Sequence, residues 1–572
     1  MDGLVDRYQL TEPRRALALL AVVALVVRLA GLGTRVAHWD EGRVGYWILR
    51  TAATGHWEYR PIIHGPFVQH VTRWVIELAG PSDFVMRLPV AVLGGLLPLS
   101  ALLFRTRLRD GETIALGLVL AANPLLVYYS RFMRSDLPLA VFAFVTLGAL
   151  LTAIDTDRRR YLHLAAIAFA LALTTKENAV LYPVSWLGAR IMVSAGDVVR
   201  RYRTGEGSPM LRLISLNDAL DWLWSWRRSL LVVPLEILAV FVFFYAPRSP
   251  RPDAGLWSAL ADPTLFPRVA WEATAGSTAA FVDLWLDSGM HAHPYATFLA
   301  HFLAVLTVAS GATLAFAIAG VTGRSRPIVT FCGWWALSGI VGYPYVADIK
   351  APWLATHVVI ALAIPAAVGL VVVRDRLQAA RIDGRQVTAI GLAALLLLSG
   401  GFVVVSTAVG TYQQPPHGLN IVAQGGQPGG DLRPIVKDIR VVAGATNDPD
   451  VLYYGDLAVA NESRNDRPPA ASNWYDRLPI PWYTESANAT VSSALDIDSM
   501  PEDPPPIVIA NSTARAELEA ELPGYDVREE AIVLRPAPVT IGVLGFKYHL
   551  GGQTYVFFLD RGEIAAASGA RR

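Results

Sequence analysis

Four short stretches of the chain place ionisable side chains between or directly after long apolar runs. These stretches are residues 38–42, 130–136, 175–178 and 348–352. An ionisable group at membrane depth costs about 2.5–3.5 kcal/mol, and such groups usually line a cavity or a pathway. All four stretches fall on the same side of the membrane when the loops are assigned by charge, so we expect them to converge on one polar cavity.

The residue types in these stretches fit the transfer of a group from a phosphate carrier. A carboxylate can take the proton of an acceptor hydroxyl, and cations can stabilise a phosphate as it leaves. Nucleotide sugars and ATP are absent outside the cell, so an activated sugar must arrive on a lipid such as a polyprenyl phosphate. Of the four lysines in the chain, Lys176 and Lys350 lie in these stretches, where an ammonium binds phosphate as a point charge; chance placement is the alternative.

The composition is that of a membrane protein. The 572 residues are 53% apolar and 17% charged, with a mean hydropathy of +0.38, whereas an ordinary soluble domain is about 25% charged. Crossing the hydrocarbon core takes about 20 residues in a helix, and the sequence contains eleven apolar runs that we interpret as spans. They are 14–33, 84–104, 112–129, 137–154, 161–175, 178–194, 229–246, 295–320, 328–346, 353–373 and 386–409, of which the fifth and sixth are short and could form one broken segment.

Loop charge determines the expected orientation. With the N-terminus in the cytoplasm, the inside loops are richer in arginine than the outside loops, as the positive-inside rule requires. An odd number of spans then places the C-terminal part outside, and the glycosylation sequons at Asn461, Asn488 and Asn511 fall there. We therefore predict an integral multi-pass protein of the cell membrane.

The first outside loop and the tail are expected to be ordered. Apolar residues recur at helical spacing from Phe67 to Leu78, which predicts an amphipathic helix on the membrane surface, and residues 43–54 predict a second one. Residues 410–430 are rich in Gly, Gln and Pro and predict a linker. The expected domains are a transmembrane domain at 1–409, this linker, and an extracytoplasmic soluble domain at 431–572.

The tail has the pattern of a small α/β domain. Residues 410–572 contain 13 basic and 21 acidic residues, unlike the basic first part. Cys332 is the single cysteine, which excludes an intrachain disulfide and a cysteine-based metal cluster, and no nucleic-acid motif occurs, so no nucleic-acid partner is expected. The predicted helices are 432–442 and 513–522, and the predicted strands are 451–454, 507–510, 531–534 and 555–559.

Five motifs in this order carry a resemblance to a known family: HWDEG, HGPF, SRFMRSD, TTKENA and IKAPWL. Over about residues 1–360 the chain resembles the GT-C glycosyltransferases, among them protein O-mannosyltransferases and the bacterial lipid A aminoarabinose transferase. It looks most like an archaeal group of flippase-activity-associated proteins. The resemblance implies an all-α polytopic membrane domain of about eleven transmembrane helices, with amphipathic helices in the first outer loop, followed by the α/β tail.

The resemblance also implies roles for individual residues. Asp40 matches the first-loop acidic residue, which acts as the base or positions the acceptor, while Glu41 and Asp136 would orient the acceptor or coordinate a divalent ion, Mg²⁺ or Mn²⁺. Relatives differ in their need for metal, so a metal site is not assigned. The candidates for the donor phosphate are His64, Arg131, Arg134, Lys176 and Lys350, and those for the acceptor side are Glu177 and Asp348. Gly65 stands where relatives have a proline.

Each assignment has a structural alternative. Asp40 and Glu41 could cap the following helix, and Asp136 could cap the fourth span. Arginines of the second outer turn could be snorkelling anchors, and Glu177 could pair with its surroundings. His291 and His293 could ligate a metal, but solvated loop histidines are the more frequent case.

Together these features predict a membrane glycosyltransferase. It would move a sugar from a polyprenyl (dolichyl) phosphate donor to a lipid-linked glycan or a protein, on the extracytoplasmic face, in contact with membrane lipid. The alternative is a non-enzymatic component of lipid-linked sugar flipping, which would need the phosphate ligands but no proton acceptor. A solute transporter is disfavoured because the sequence shows no inverted repeat.

Overall fold

The structure, a computed structural model, divides into two units. It describes residues 2–204, 216–249, 254–285, 294–324, 326–413, 420–423, 425–445, 449–539 and 547–570. The first unit consists of Met1–Ala30, Glu58–Val68 and Leu88–Tyr412, and the second consists of Gly31–Trp57, Gln69–Arg87 and Gln413–Arg572.

Up to residue 412 the described chain is helical. The helices are α1 (Asp2–Leu29), α2 (Trp39–Thr54), α3 (Pro66–Ala79), α4 (Asp83–Leu96), α5 (Asp110–Ala122), α6 (Pro124–Tyr129), α7 (Asp136–Thr156), α8 (Arg159–Thr175), α9 (Leu181–Thr204), α10 (Leu216–Tyr245), α11 (Leu256–Ala261), α12 (Phe266–Trp271), α13 (Ser277–Trp285), α14 (Tyr295–Gly323), α15 (Pro327–Val346), α16 (Ala355–Ile382) and α17 (Gln386–Thr407). Short 3₁₀ segments at Pro61–Ile63, Leu97–Phe104, Glu177–Val180 and Pro352–Leu354 lie between them.

Six helical segments in the described part of the chain are long and apolar enough to cross a membrane. They are Asp83–Phe104, Asp136–Thr156, Trp224–Tyr245, Tyr295–Gly323, Pro352–Ile382 and Gln386–Tyr412, and each overlaps a run predicted from the sequence over nearly all of that run. This result confirms an integral multi-pass membrane domain. The number of eleven spans stays a prediction.

Two breaks between helices have local causes. The run 112–129 breaks at Asn123, whose side chain accepts hydrogen bonds from the amides of Leu125 (3.0 Å) and Leu126 (3.1 Å) and so caps α6. The stretch 161–194 forms two helices because Lys176 adopts an extended conformation, with φ −159° and ψ 141°. That turn brings Lys176 and Glu177 to the end of α8, where they can meet other elements.

α16 forms the core of the first unit. Its residues from Ala355 to Val368 are buried without exception, and it packs against α5, α14 and α15. A helix that is apolar on all sides is either central in a protein or surrounded by lipid. α16 is central in the protein. In α17, by contrast, only Ala389 is buried, and apolar side chains are exposed on every side of the helix.

The second unit contains the predicted α/β domain. Its elements are α18 (Arg433–Val442), β1 (Val451–Tyr454), α19 (Ile480–Ala487), β2 (Val491–Ala494), β3 (Ile507–Asn511), α20 (Arg515–Glu521), β4 (Asp526–Val539), β5 (Lys547–Leu559) and α21 (Arg561–Ala570). The strand order is β2-β1-β3-β5-β4. β1 pairs in parallel with β2 and β3, and β5 pairs antiparallel with β3 and β4. The small α/β domain is thus confirmed, and β2, whose sequence is largely polar, is the strand that the pattern did not predict.

Parts of the loop between the first two predicted spans, residues 34–83, belong to this second unit. α2 packs against α19, and two glycines allow the approach, since a Cβ on Gly42 would lie 2.7 Å from Pro479 Cβ and one on Gly45 would lie 2.7 Å from the Trp482 ring. The described part of the expected linker is also ordered. Gly426 N donates to Leu534 O at 2.7 Å, so the segment runs along β4.

Candidate functional site

In the first unit, a buried ion pair joins two of the predicted site residues. Lys176 Nζ donates to Asp136 Oδ1 at 2.8 Å, and the two residues are 8% and 1% exposed. Asp136 is the first residue of α7, and Lys176 lies at the break after α8. Asp136 therefore does more than begin a helix, because its carboxylate is directed at a cation from another element.

His357, in the first turn of α16, adds a second partner to this carboxylate. Its Nε2 lies 3.4 Å from Asp136 Oδ1, and its Nδ1 lies 2.7 Å from the hydroxyl of Tyr182. With the proton on Nε2, the Tyr182 hydroxyl can donate to Nδ1 and the ring N–H lies near the Asp136 carboxylate. The ring of Tyr343 stacks on the imidazole at 5.0 Å between centroids, so the histidine is held in one orientation.

Arg134 contributes a second cation to the cluster. Its Nε lies 3.7 Å from Asp136 Oδ2, and its guanidinium lies 3.8 Å above the ring of Trp353, a favourable cation–π geometry. One carboxylate thus faces the two cations Arg134 and Lys176. With His357 neutral, the cluster has an excess of positive charge, which suits an anionic ligand.

The other cations predicted for the phosphate have different surroundings. Arg131 Nη1 donates to the carbonyls of Arg28 (2.6 Å) and Ala30 (2.7 Å), at the C-terminal end of α1. Lys350 is exposed on the loop before α16, and Asp348 is partly exposed there. Among the described residues neither of these two makes an ion pair.

His64 and Glu177 also lie close together in the first unit. His64 Nδ1 is 3.5 Å from Glu177 Oε2, and the hydroxyl of Tyr59 donates to Glu177 Oε1 at 2.6 Å. Burial first, and then the Glu177 carboxylate, raise the pKa of Tyr59 well above its usual value, so the phenol remains a donor. The imidazole of His64 stacks on Trp285. Glu177 is therefore held by an aromatic hydroxyl, and the His64 imidazole lies beside it.

Gly65 explains how the His64 loop reaches this position. A Cβ on Gly65 would lie 2.6 Å from the carbonyl carbon of Thr175 and closer still to the Thr174 carbonyl oxygen. The loop therefore rests directly on the backbone at the end of α8. His64 itself has φ 68°, a left-handed conformation that a non-glycine residue adopts at a cost.

Asp40 and Glu41 belong to the second unit, and their environments differ. Glu41 is fully buried; Arg87 donates to it from Nε (2.9 Å) and Nη2 (2.8 Å), and Arg35 donates from Nη2 (3.1 Å). The backbone N–H of His38 also donates to Glu41, at 2.9 Å, which completes a capping box. Burial alone would raise the pKa of Glu41, but Arg87 and then Arg35 outweigh it and hold the pKa well below its usual range.

Asp40 is the accessible carboxylate of the pair. Its side chain is 27% exposed and accepts a hydrogen bond from Arg43 Nη2 at 3.0 Å. The ring of His38 lies 3.9 Å away, and His38 Nδ1 accepts from the Asp40 amide at 3.0 Å. Asp40 therefore remains within reach of a substrate, unlike its buried neighbour.

No group of three metal-ligating side chains occurs among the residues that the structure describes. Glu41 and Asp136, for which metal coordination was one alternative, are both paired with cations. His291 and His293 lie outside the described residues. A divalent cofactor stays a prediction.

Two sequence families and several solved structures resemble this chain. Residues 63–206 match the family "Dolichyl-phosphate-mannose-protein mannosyltransferase", and residues 432–560 match the family "Agl23 flippase-associated protein C-terminal domain". ArnT from Cupriavidus metallidurans in the apo state has a TM-score of 0.53 and 18% identity, covering 96% of this chain and 98% of that chain. The chain therefore shares its fold with ArnT over nearly the whole length of both proteins.

Two further solved structures align with this chain. ArnT from Cupriavidus metallidurans bound to undecaprenyl phosphate aligns with a TM-score of 0.51 and 18% identity, with the same coverage of 96% and 98%. The apo oligosaccharyltransferase of Archaeoglobus fulgidus has a TM-score of 0.47 and 14% identity, covering 86% of this chain and 65% of that one. No curated protein matches the sequence.

The GT-C resemblance predicted from the five motifs is thus confirmed, and it extends further than expected. The tail, which the motifs did not cover, matches a family of its own. The mannosyltransferase match includes the segments with His64, Asp136 and Lys176, whereas Asp40 and His357 lie outside it.

Sequence reasoning missed three residues of these two clusters in the first unit. Tyr182 and Tyr59 carry no motif that marks them as polar partners. His357 could have been recognised from the sequence, because it is the one ionisable residue in the apolar run 353–373.

Proposed function

We propose that this chain transfers a sugar from a polyprenyl-phosphate donor to an acceptor hydroxyl. The observation that carries the proposal is the Asp136–Lys176–Arg134 cluster, whose surplus positive charge lies within the segment that matches a dolichyl-phosphate-mannose-dependent family. A lipid-linked phosphate is the anion that a cluster in a membrane-embedded unit would meet. In support, ArnT has been solved with undecaprenyl phosphate bound.

In this proposal the first unit holds the donor phosphate. Lys176 and Arg134 provide the buried cations, and Asp136 with His357 holds the ammonium in place. Lys350 is exposed on the loop that precedes α16, and in this proposal it contacts the phosphate from the solvent side. Cations fixed in advance stabilise the negative charge that develops as the phosphate leaves. Arg131, engaged with the end of α1, supports the turn that carries Arg134.

Asp40 would act as the base. The acceptor oxygen forms a bond to the anomeric carbon while the bond from that carbon to the phosphate oxygen breaks, and Asp40 takes the hydroxyl proton. The polyprenyl phosphate leaves with the electron pair. A single displacement of this kind inverts the anomeric centre. Glu41 positions Asp40 by anchoring the first turn of α2 to Arg87.

We place this reaction on the extracytoplasmic face. The arginine content of the alternating loops supports a cytoplasmic N-terminus and an external C-terminal domain. On that face the acceptor is a lipid-linked glycan or a protein, and the sugar is a hexose or a related unit.

A second candidate function is favoured by the match of residues 432–560 to a flippase-associated family. The chain would then bind the same lipid-linked sugar and assist its translocation. Such a role needs the cations of the first unit but gives Asp40 no proton to accept.

Substitution of Asp40 by Asn separates the two functions. We expect D40N to bind donor as the wild type does and to lose about 10²–10⁴-fold in transfer rate, the contribution usual for a general base. The assay uses purified full-length protein, a panel of polyprenyl-phosphate sugars and mass detection of the product, with and without EDTA to test for Mg²⁺ or Mn²⁺. E58Q, which alters an exposed carboxylate of the same loop, is the matched control. Unchanged transfer in D40N would contradict the proposed base.

A further inference from the structure

The second unit contains a cavity directly beside the residue that precedes Asp40. Its volume is about 300 Å³, and its lining includes Trp39, Asp476 and Gln553 together with Val533 and Leu534 of β4. Ligand sites of small molecules begin at about this size, and a single sugar ring fits within it. The walls come from the first outer loop and from the C-terminal domain.

The aromatic wall is held rigidly. The indole N–H of Trp39 donates to the carbonyl of Tyr475 at 3.0 Å, and Arg43 lies over the ring at 4.9 Å. Gly426, with φ +90°, approaches so closely that a Cβ there would lie 3.1 Å from Trp39 Cβ. The position and angle of the indole are therefore fixed before any ligand enters.

Hydrogen bonds connect Gly425 and Gly426, which also line the cavity, to the start of α2. The carbonyl of Gly425 lies 2.7 Å from His38 Nε2, and the amide of Trp39 donates to the carbonyl of Gly426 at 2.9 Å. Since Asp40 is the next residue along the chain, a ligand in the cavity lies at the start of the same helix turn as the proposed base.

The chemistry of the lining matches a neutral saccharide. Trp39, Val533 and Leu534 offer apolar surface for the C–H face of a sugar ring. The Asp476 carboxylate can accept hydrogen bonds. The Gln553 amide donates one N–H to the Tyr555 hydroxyl at 2.8 Å, which leaves its oxygen to accept and its second N–H to donate. Asp476 is exposed and makes no ion pair within the described part of the chain, so its charge opposes a phosphate group and favours hydroxyls.

We propose that this cavity is an acceptor subsite that binds one sugar residue of a glycan. The inference rests on the proposed transferase function and narrows it, because it selects a saccharide acceptor over a protein hydroxyl. It also gives the C-terminal domain a role in acceptor recognition, since Asp476, Val533, Leu534 and Gln553 all belong to that domain.

The test measures saccharide binding and transfer separately on the full-length protein in detergent. Saturation-transfer NMR with glucose, mannose and N-acetylglucosamine is expected to show binding to the wild type and its loss in D476A and Q553A. In the transfer assay, the same variants are expected to raise the KM for a saccharide acceptor about tenfold, as the loss of one or two hydrogen bonds predicts. D498A removes an exposed carboxylate elsewhere in the domain and is expected to behave as the wild type.

Two results would overturn the inference. One is saccharide binding, or a KM for the saccharide acceptor, that is the same in D476A and Q553A as in the wild type. The other is transfer by the wild type to a peptide hydroxyl with no binding of any saccharide. Failure of the transferase proposal is distinguishable, because saccharide binding that depends on Asp476 and Gln553 would then be observed without any transfer, and the subsite would stand.

Discussion

Lys176 Nζ lies 2.8 Å from Asp136 Oδ1, although the two residues are 40 positions apart in the chain. The pair joins the start of α7 to the end of α8 in a place from which water is nearly excluded. Burying two charges costs free energy that their attraction must offset. A pair of this kind is therefore sensitive to the loss of either partner.

We expect K176M to destabilise the protein by about 3–5 kcal/mol, because it leaves the Asp136 carboxylate buried without its ammonium. Thermal unfolding of the purified protein in detergent measures the change. The double variant D136L/K176M is expected to recover most of the stability, since two apolar side chains can replace a buried pair.

Transfer is expected to be lost in both K176M and D136L/K176M if the ammonium holds the donor phosphate. The comparison separates a structural role from a functional one. Recovery of activity together with stability in the double variant would show that the pair serves only to hold α7 and α8 together.

The Glu41 carboxylate is expected to determine how much of the folding stability is lost at acid pH. Its folded pKa lies below the unfolded value, so the ionised carboxylate stabilises the fold above the unfolded pKa, about 4.3, and this stabilisation is lost as the pH falls towards the folded pKa. E41Q is expected to cost about 3–5 kcal/mol at pH 7, because Arg87 and Arg35 lose their counterion. Unfolding midpoints from pH 7 to pH 3 should fall more steeply for the wild type than for E41Q; parallel curves would refute the assignment.

Gly65 is predicted to tolerate no side chain. G65A places a Cβ 2.6 Å from the Thr175 carbonyl carbon, so the His64 loop must shift away from Lys176 and Glu177. We expect a lower unfolding midpoint and weaker donor binding. The control is G188A in α9, where a Cβ meets nothing within 4 Å and alanine favours the helix by up to about 1 kcal/mol. Equal midpoints for the two variants would contradict the close approach.

The hydroxyl of Tyr182 is expected to hold His357 in place. Y182F removes the partner of a buried imidazole nitrogen, which should cost about 1–3 kcal/mol and lower the transfer rate by letting His357 turn away from Asp136. Y295F removes an exposed hydrogen bond to Val341 and should change stability by less than about 0.5 kcal/mol. The readouts are the unfolding midpoint and the transfer rate, and a Y182F protein with wild-type values for both would exclude this role.

Several residues of the candidate site could be singled out from the sequence because ionisable residues in apolar surroundings are conspicuous. Asp136, Lys176 and Glu177 stand out in this way, and the structure brings Asp136 to Lys176 and Glu177 to His64. Their partners could not be assigned. Glu177 bonds to Tyr59, a residue 118 positions away that has no distinguishing pattern around it.

The sequence by itself determined whether each segment is suited to a membrane or to water. Long apolar runs, the arginine content of the loops and the alternating pattern of the tail depend on local composition, and they predicted helices for a membrane and a small α/β domain. Tertiary structure alone decided which charges meet: Asp136 with Lys176 and His357, and Glu41 with Arg87 and Arg35. The physical reason is that hydrophobicity acts on each segment separately, whereas an ion pair requires two distant segments to be packed at one distance and angle.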